Sequence, residues 1–170
     1  MSLYQSSVPQ MKKMLENLGN WLDAATKHAD AKGFDPNVFA SCRLAPDQYP
    51  LSKQVQSSCD AAKFAASRLS GKDAPSHPDT ERTMDELKAR VRTVVQHLDT
   101  LKPADFEGAE TRKVLLPFLE GRYILGSDYL TEMALPNVYF HVTTAYAILR
   151  HNGVNVGKRD YIGSLITHAA

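Results

Sequence analysis

Apolar residues recur at steps of three and four over several long stretches of the chain, and this spacing is the strongest constraint on its fold. The clearest stretch contains Met84, Leu87, Val91, Val94, Leu98 and Leu101. Because a helix turns once in about 3.6 residues, alternating steps of three and four place such side chains on one face. The pattern predicts an amphipathic helix that begins near Asp79 or Thr80 and ends before Pro103.

Two earlier stretches predict helices of the same kind. The first runs from Val8 to about Ala31 and is followed by Gly33, a residue that readily adopts the left-handed conformation of a helix end. The second runs from Pro50 to about Ser70. Its inward residues are Leu51, Val55, Cys59, Ala62, Ala66 and Leu69.

A fourth long helix is predicted from Ser127 or Asp128 to the Asn-Gly pair that ends at Gly153. Pro136 lies inside it. Proline has no backbone N–H and its ring clashes with the preceding turn, so we expect a kink close to Asn137.

The connecting segments complete the predicted architecture. Between Phe106 and Leu125, two short apolar runs flank Glu120-Gly121, which predicts a small hairpin or an irregular excursion before the last long helix. Residues 34–50 contain three prolines and predict an ordered crossing loop with a helical turn near its start. The segment after residue 153 is predicted to wrap the bundle or to cross to a second subunit. We expect one all-α domain over residues 1–170, a four-helix bundle.

Composition excludes several classes of function. The chain has 20 lysines and arginines against 19 aspartates and glutamates, a formal net charge of +1, which argues against nucleic-acid binding. No apolar run approaches the roughly 20 residues of a membrane span, and the first residues lack a signal-peptide pattern. Cys42 and Cys59 are too few for a disulfide framework. These features predict a cytoplasmic protein that contacts no membrane.

Two polar residues interrupt the apolar face of the fourth predicted helix. By helical spacing this face contains Leu130, Ala134, Asn137, His141, Ala145 and Ile148. We therefore expect Asn137 and His141, one turn apart, to point into the bundle centre. A buried polar group without a partner costs about 1–3 kcal/mol, so each needs a partner: the other, the second helix, water or an ion.

The second helix offers Gln56 and Asp60, one turn apart at the edge of its apolar stripe. Three alternatives stay open: a hydrogen-bonded polar layer, a metal or ligand site that includes Asp60, or exposure of the polar groups to solvent. If Asp60 is no ligand, we expect an ion pair with Lys63. None of the six histidines has another histidine three or four residues away, the spacing of a helical metal site. Nucleophile-elbow, phosphate-loop and dinucleotide motifs are also missing from the sequence.

Three segments resemble an uncharacterised bacterial family in the DinB/YfiT-like superfamily. They read CRLAPDQYPLSKQVQSSCDAAK, YFHVTTAYAILRHNGV and GKRDYIG. The resemblance covers nearly the whole chain. It implies an up-down-down-up four-helix bundle that is often dimeric. Many members of the superfamily hold a divalent metal with one histidine from the second helix and an H-x-x-x-H pair from the fourth, and some are thiol-dependent transferases.

Carried onto this sequence, the second histidine of that pair is His141, the first position of the pair is Asn137, and the histidine of the second helix falls near Asp60. One of the three histidines is therefore kept. Asparagine is a poor ligand for zinc or nickel, so the resemblance implies a degenerate metal site.

The sequence leaves catalysis undecided. Our first hypothesis is a cytoplasmic homodimer that is non-catalytic or binds a small molecule in its central pocket, with no cofactor. The alternative is a metal-dependent thiol transferase or hydrolase in which Asp60, Asn137 and His141 hold a divalent metal, zinc or nickel.

Overall fold

Four long helices pack around a shared apolar core in the computed structural model, which describes residues 2–168. They are α1 (Leu3–Lys32), α2 (Leu51–Ser70), α3 (Met84–Asp99) and α4. Helix α4 consists of three consecutive segments: Gly126–Asp128, a π-helical stretch Tyr129–Ala134, and Leu135–His151. The predicted all-α bundle is confirmed.

Helix α2 begins one residue after the predicted first position, Pro50, and ends at the predicted Ser70. Gly71, whose φ of 75° is the left-handed conformation that favours glycine, caps this end. Cys59, predicted to be a small buried residue, is fully buried on this helix.

Helix α1 begins at Leu3, earlier than the predicted Val8. The Ser2 side chain accepts a hydrogen bond from the backbone N–H of Gln5, and the Gln5 side chain accepts one from the backbone of Ser2. This reciprocal capping box satisfies free N–H groups of the first turn and fixes the earlier start. Pro9 therefore lies inside the helix.

Helix α3 begins at Met84, later than the predicted Asp79 or Thr80. Thr83 and Glu86 form the second capping box, which sets the first turn there. The residues before it, 72–83, form an irregular segment, which we call the α2–α3 strap. This strap supplies charged side chains to the site described below.

The predicted irregularity in α4 lies one turn earlier than expected. The backbone N–H of Leu135 donates to the carbonyl of Leu130, the i→i−5 bond of a π turn, and Pro136 follows directly. A proline cannot donate to the residue four positions earlier and crowds its carbonyl. The irregularity of the helix is therefore a widened turn over Tyr129–Ala134, one turn before the predicted kink near Asn137.

The predicted hairpin before α4 is present. Strand β1 (Lys113–Leu115) pairs antiparallel with β2 (Tyr123–Leu125), with Val114 opposite Ile124. The predicted helical turn in the loop after α1 is a 3-10 helix over Pro36–Ser41.

The segment after α4 returns to α1 of the same chain. It contains the short helix α5 (Lys158–Ile162). The indole N–H of Trp21 donates to the carbonyl of Asp160 at 3.2 Å, and the Trp21 ring stacks on Tyr161 at 5.5 Å between centroids. Of the two predicted paths for this segment, the chain follows the one that wraps the bundle.

No helix among residues 2–168 has the combination of length and apolar character that crossing a membrane requires.

Candidate functional site

A pocket of about 200 Å³ lies between α2 and α4, and it contains all three candidate metal ligands of the sequence analysis. Its lining residues are Ser57, Asp60, Ala61, Phe64, Arg68, Tyr129, Met133, Ala134, Asn137 and His141. We call it the α2–α4 pocket. Three larger clefts contain no histidine or cysteine: two of about 370 and 420 Å³ run along α1, and one of about 250 Å³ lies beside the loop before α2.

The π turn helps to shape the α4 wall of this pocket. Tyr129, Met133, Asn137 and His141 follow one another at steps of four residues. In a regular α-helix each such step drifts by about 40° around the axis. A wider turn offsets part of that drift, so the four side chains line the same groove. Widened turns of this kind are frequent at functional sites.

The imidazole of His141 is oriented by a hydrogen-bond chain from the loop before α2. The Gln54 amide nitrogen donates to the carbonyl of Tyr49 at 3.2 Å, which leaves Gln54 Oε1 facing His141 Nδ1 at 2.8 Å. Because an amide oxygen only accepts, Nδ1 carries the proton and Nε2 is the acceptor nitrogen of the neutral ring. Residues 2–168 supply no partner for Nε2.

Burial lowers the pKa of His141, and the positive charge of Lys53 lowers it further. The neutral ring therefore predominates at neutral pH. The partner of this histidine was predicted on the second helix, which is right, but the predicted residues were Gln56 and Asp60. Asp60 pairs with other residues, as described below. Gln56 also has another partner. That residue instead donates to Glu81 Oε2 at 2.9 Å, on the side of α2 that faces α3.

Asp60 is held by two buried cations. Its Oδ1 lies 2.6 Å from Arg90 Nη2 and 2.8 Å from Lys63 Nζ, and the side chains of Arg90 and Lys63 are 1% and 2% exposed. The ion pair with Lys63 was the predicted alternative role of Asp60, whereas Arg90 was not foreseen. It lies three residues after Leu87 on the apolar stripe of α3, which is the signal that could have revealed it.

The α2–α3 strap completes this ionic cluster. Arg90 Nη1 lies 3.0 Å from Glu81 Oε1, and Arg90 Nη2 lies 3.3 Å from Asp79 Oδ1. On the same strap, His77 Nδ1 lies 2.9 Å from Lys63 Nζ. We call Asp60, Lys63, Arg90 and these three strap residues the strap cluster. Its carboxylates compensate cations that would otherwise be buried without partners.

Asn137 lies on the pocket wall and is partly exposed, as is His141. The expectation that both point into the bundle centre is wrong, because they line the groove between α2 and α4 and the apolar core lies behind them. The described residues provide no hydrogen-bond partner for the Asn137 amide. His141 does have the expected partner within the bundle, because its Nδ1 bonds to Gln54.

At the end of the pocket away from His141 lie Arg68, Phe64 and Tyr129, none of which was a predicted site residue. Arg68 Nη1 donates to the Tyr129 hydroxyl at 2.9 Å. The guanidinium carbon lies 5.4 Å from the centroid of Phe64 and 5.8 Å from that of Tyr129, distances of cation–π contacts. Arg68 and Tyr129 are 61 positions apart, so no local pattern links them.

The donor set of the pocket does not fit a zinc or nickel site. Within residues 2–168, no group of three histidine, cysteine, aspartate or glutamate side chains is placed to hold a metal ion. Asp60 is engaged by Arg90 and Lys63. One imidazole nitrogen and one amide are left, which is fewer than the three protein ligands of a catalytic zinc site.

A solved structure of similar sequence has the same fold as this chain. The chain is similar to a solved structure described as a DinB family member protein from Shewanella denitrificans at 1.83 Å resolution. The two share 45% identity with a TM-score of 0.95, over 99% of this chain and 96% of that one. None of the curated proteins compared with the chain matches it.

Residues 3–162 match the family described as Domain of unknown function (DUF1993). The resemblance to an uncharacterised DinB-like family is therefore confirmed. This chain belongs to the DUF1993 family and has the bundle of a DinB-like protein.

Proposed function

We propose that the protein is a non-catalytic, DinB-like binding protein whose α2–α4 pocket holds a small polar molecule without a metal ion. One observation carries this proposal: Asp60, which would have to be a metal ligand, is already bound to Arg90 and Lys63. The remaining polar groups of the pocket are suited to hydrogen bonding with a ligand.

The electrostatics of Asp60 oppose a divalent cation. A metal on this carboxylate would lie close to two buried positive charges. If Asp60 turned away to bind the metal, Arg90 would lose its shortest ion pair while its side chain stayed 1% exposed. Arg90 would keep Asp79 and Glu81 at 3.3 and 3.0 Å, but the loss of its shortest ion pair still opposes metal binding.

The lining of the pocket supports binding of a small molecule. Asn137, Ser57 and His141 Nε2 have no hydrogen-bond partner among residues 2–168, and the apolar side chains of Phe64 and Met133 lie beside them. Small-molecule sites characteristically combine an apolar lining with a few placed polar groups.

A metal-dependent thiol transferase or hydrolase is the second candidate. The bond between His141 Nδ1 and Gln54 favours it, because a metal-binding histidine usually donates its other N–H to a neighbouring acceptor. In this candidate Asp60, Asn137 and His141 are the ligands.

Elemental analysis of protein purified without an affinity tag separates the two candidates. We expect no stoichiometric zinc or nickel, and the same melting temperature before and after chelation. A His141→Ala variant is compared with His151→Ala, which removes an exposed histidine near the end of the same helix. Stoichiometric metal that is lost in His141→Ala but kept in His151→Ala would overturn the proposal.

We also propose a cytoplasmic homodimer. Exposed apolar side chains in the loop before α2 and in the segment after α5 support an interface, among them Tyr49, Leu44, Leu165 and Ile166. The free Cys42 and Cys59 are compatible with a reducing compartment. Light scattering at micromolar concentration should give twice the mass of the chain, and a monomeric mass would contradict the dimer.

A further inference from the structure

We propose that the ligand of the α2–α4 pocket is an organic anion whose carboxylate or phosphate group binds between Arg68 and Tyr129. This inference rests on the proposed function and specifies its ligand class. It derives from an imbalance between donors and acceptors at this end of the pocket.

The guanidinium of Arg68 differs from that of Arg90 in its ionic partners. Among residues 2–168, no aspartate or glutamate forms an ion pair with it, whereas Arg90 on the other side of α2 pairs with three carboxylates. An arginine has five N–H donors in a planar fork, and the described residues accept from Arg68 only at the Tyr129 hydroxyl. The remaining donors suit a carboxylate or phosphate, which such a fork binds with two parallel bonds.

The hydroxyl of Tyr129 adds a second donor. The residue is 2% exposed, and its oxygen already accepts from Arg68. Residues 2–168 provide no acceptor for its own O–H proton. Arg68 is therefore the single hydrogen-bond partner of this hydroxyl among residues 2–168, and an oxyanion beside Arg68 could accept its O–H bond.

The length of the pocket indicates the shape of the rest of the ligand. Its α2 wall runs from Ser57 to Arg68, roughly 16 Å at about 1.5 Å per residue. His141 Nε2 offers an acceptor toward the opposite end, while Phe64 and Met133 contribute apolar surface to the lining. A slender organic acid with an apolar middle and a hydroxyl or amine at its far end matches this arrangement.

The experiment uses acetate, phosphate and acetamide as probes of the Arg68 end. Acetamide has nearly the shape of acetate but no charge. Each probe is titrated into chelator-treated protein while two-dimensional amide NMR follows the residues around Arg68 and Tyr129. We expect saturable shifts there with acetate or phosphate, and whichever binds more tightly identifies the head group. Acetamide should bind about tenfold more weakly, since a charged hydrogen bond exceeds a neutral one by about this factor.

Three variants test the assignment. Arg68→Gln should weaken acetate and phosphate binding about tenfold, whereas Arg150→Gln, which removes an exposed arginine from α4, should leave it unchanged. Tyr129→Phe keeps the ring and loses the hydroxyl, and it should weaken binding by a smaller factor. If Arg68→Gln does not fold, the Tyr129→Phe variant alone tests whether the anion binds at this end of the pocket.

The outcomes separate this inference from the proposed function. Equal binding of acetate and acetamide, absence of saturable shifts with any anion, or unchanged anion binding in both Arg68→Gln and Tyr129→Phe would overturn the anion assignment. Equal binding of the neutral probe would still support a small-molecule pocket. Stoichiometric metal dependent on His141 would overturn the proposed function itself.

Discussion

The two sides of α2 differ in whether their cationic side chains have carboxylate partners. Toward α3, the buried Arg90 and Lys63 meet the acidic side chains of the strap and Asp60, which also lines the edge of the α2–α4 pocket. Toward α4, residues 2–168 offer Arg68 a tyrosine hydroxyl but no carboxylate, and they leave one ring nitrogen of His141 without a partner. The charges on the α3 side are paired within the protein, although Arg90 Nε is a buried atom without a hydrogen-bond partner among residues 2–168. Paired buried charges stabilise one structure, whereas an arginine that has no carboxylate partner can bind an anionic ligand.

The strap accounts for this difference. Residues 72–83 lie against the α3 side of α2 and bring Asp79, Glu81 and His77 to the cluster. On the α4 side, the described residues that line the pocket all belong to α2 and α4. The same helix therefore contributes to a closed structural cluster on one side and to an open pocket on the other.

The largest expected effect on the free energy of unfolding comes from replacing Arg90, and replacing Arg68 provides the comparison. Arg90→Met removes the cation shared by three carboxylates, of which Asp60 keeps Lys63 and Asp79 keeps Lys53. We expect a loss of about 3 kcal/mol in the free energy of unfolding, the lower end of the range for a broken buried pair. Arg68→Met removes one hydrogen bond to Tyr129, and we expect a loss of about 1 kcal/mol. Urea denaturation of both variants measures the difference. Equal losses would break the distinction between the closed and the open side.

A smaller effect is expected for the two buried glutamines of α2. Gln54→Leu deprives His141 Nδ1 of its acceptor and the Tyr49 carbonyl of its donor, and it should cost about 1–3 kcal/mol. Gln56→Leu removes one bond to Glu81, which keeps its pair with Arg90, and should cost about 1 kcal/mol.

Nitrogen chemical shifts of the His141 ring provide an independent measure of the same variants. We expect the Nδ1-protonated form in the wild-type protein and in Gln56→Leu, and a mixture of both neutral forms in Gln54→Leu. If Gln54→Leu kept a single protonation pattern, Gln54 would not be the residue that orients the imidazole.

The smallest expected effect is the pH dependence that His77, on the α3 side of α2, gives to the stability of the protein. Burial, and then the charges of Lys63 and Arg90, lower the pKa of His77 from 6.5, although Asp60 and Glu81 act in the opposite direction. The unfolded state therefore binds a proton more readily than the native state. The contribution of His77 to stability is complete above pH 6.5 and is lost as the pH falls through the lowered native pKa.

His77→Gln tests this dependence, because a glutamine oxygen can still accept from Lys63 without titrating. Chemical denaturation at pH 7.5 and pH 5.5, on the order of one unit to each side of the reference value, should show a smaller loss of stability for the variant than for the wild-type protein. His97 and His141 also have pKa values lowered by burial, so the variant should reduce the loss without removing it. An identical loss in both proteins would exclude a role for His77.

The long helices were predictable because apolar periodicity records which face is buried. The early start of α1 and the late start of α3 were also readable in principle, since Ser2 with Gln5 and Thr83 with Glu86 follow the spacing of a capping box. Periodicity alone placed both boundaries wrongly. The π turn was not predictable, because Pro136 indicates an irregularity but does not fix whether the backbone bends or widens.

The candidate site was predictable only where its partners lie on one helix. The Asp60–Lys63 pair is such a case, as the two are three residues apart. The pairing of Arg68 with Tyr129, and of Arg90 with the strap, depends on how separate segments pack. For His141 the sequence indicated the correct helix, but the side chains of α2 had to be placed in space before Gln54 could be identified.

The most direct test is a crystal structure of untagged protein grown with phosphate and a chelator, followed by crystals soaked in zinc without chelator. We predict tetrahedral density bound to Arg68 and Tyr129, with Asp60 still paired to Arg90, and no anomalous zinc peak at His141 after soaking. A zinc peak bonded to His141 and Asp60, with Arg90 displaced and no anion at Arg68, would contradict the account.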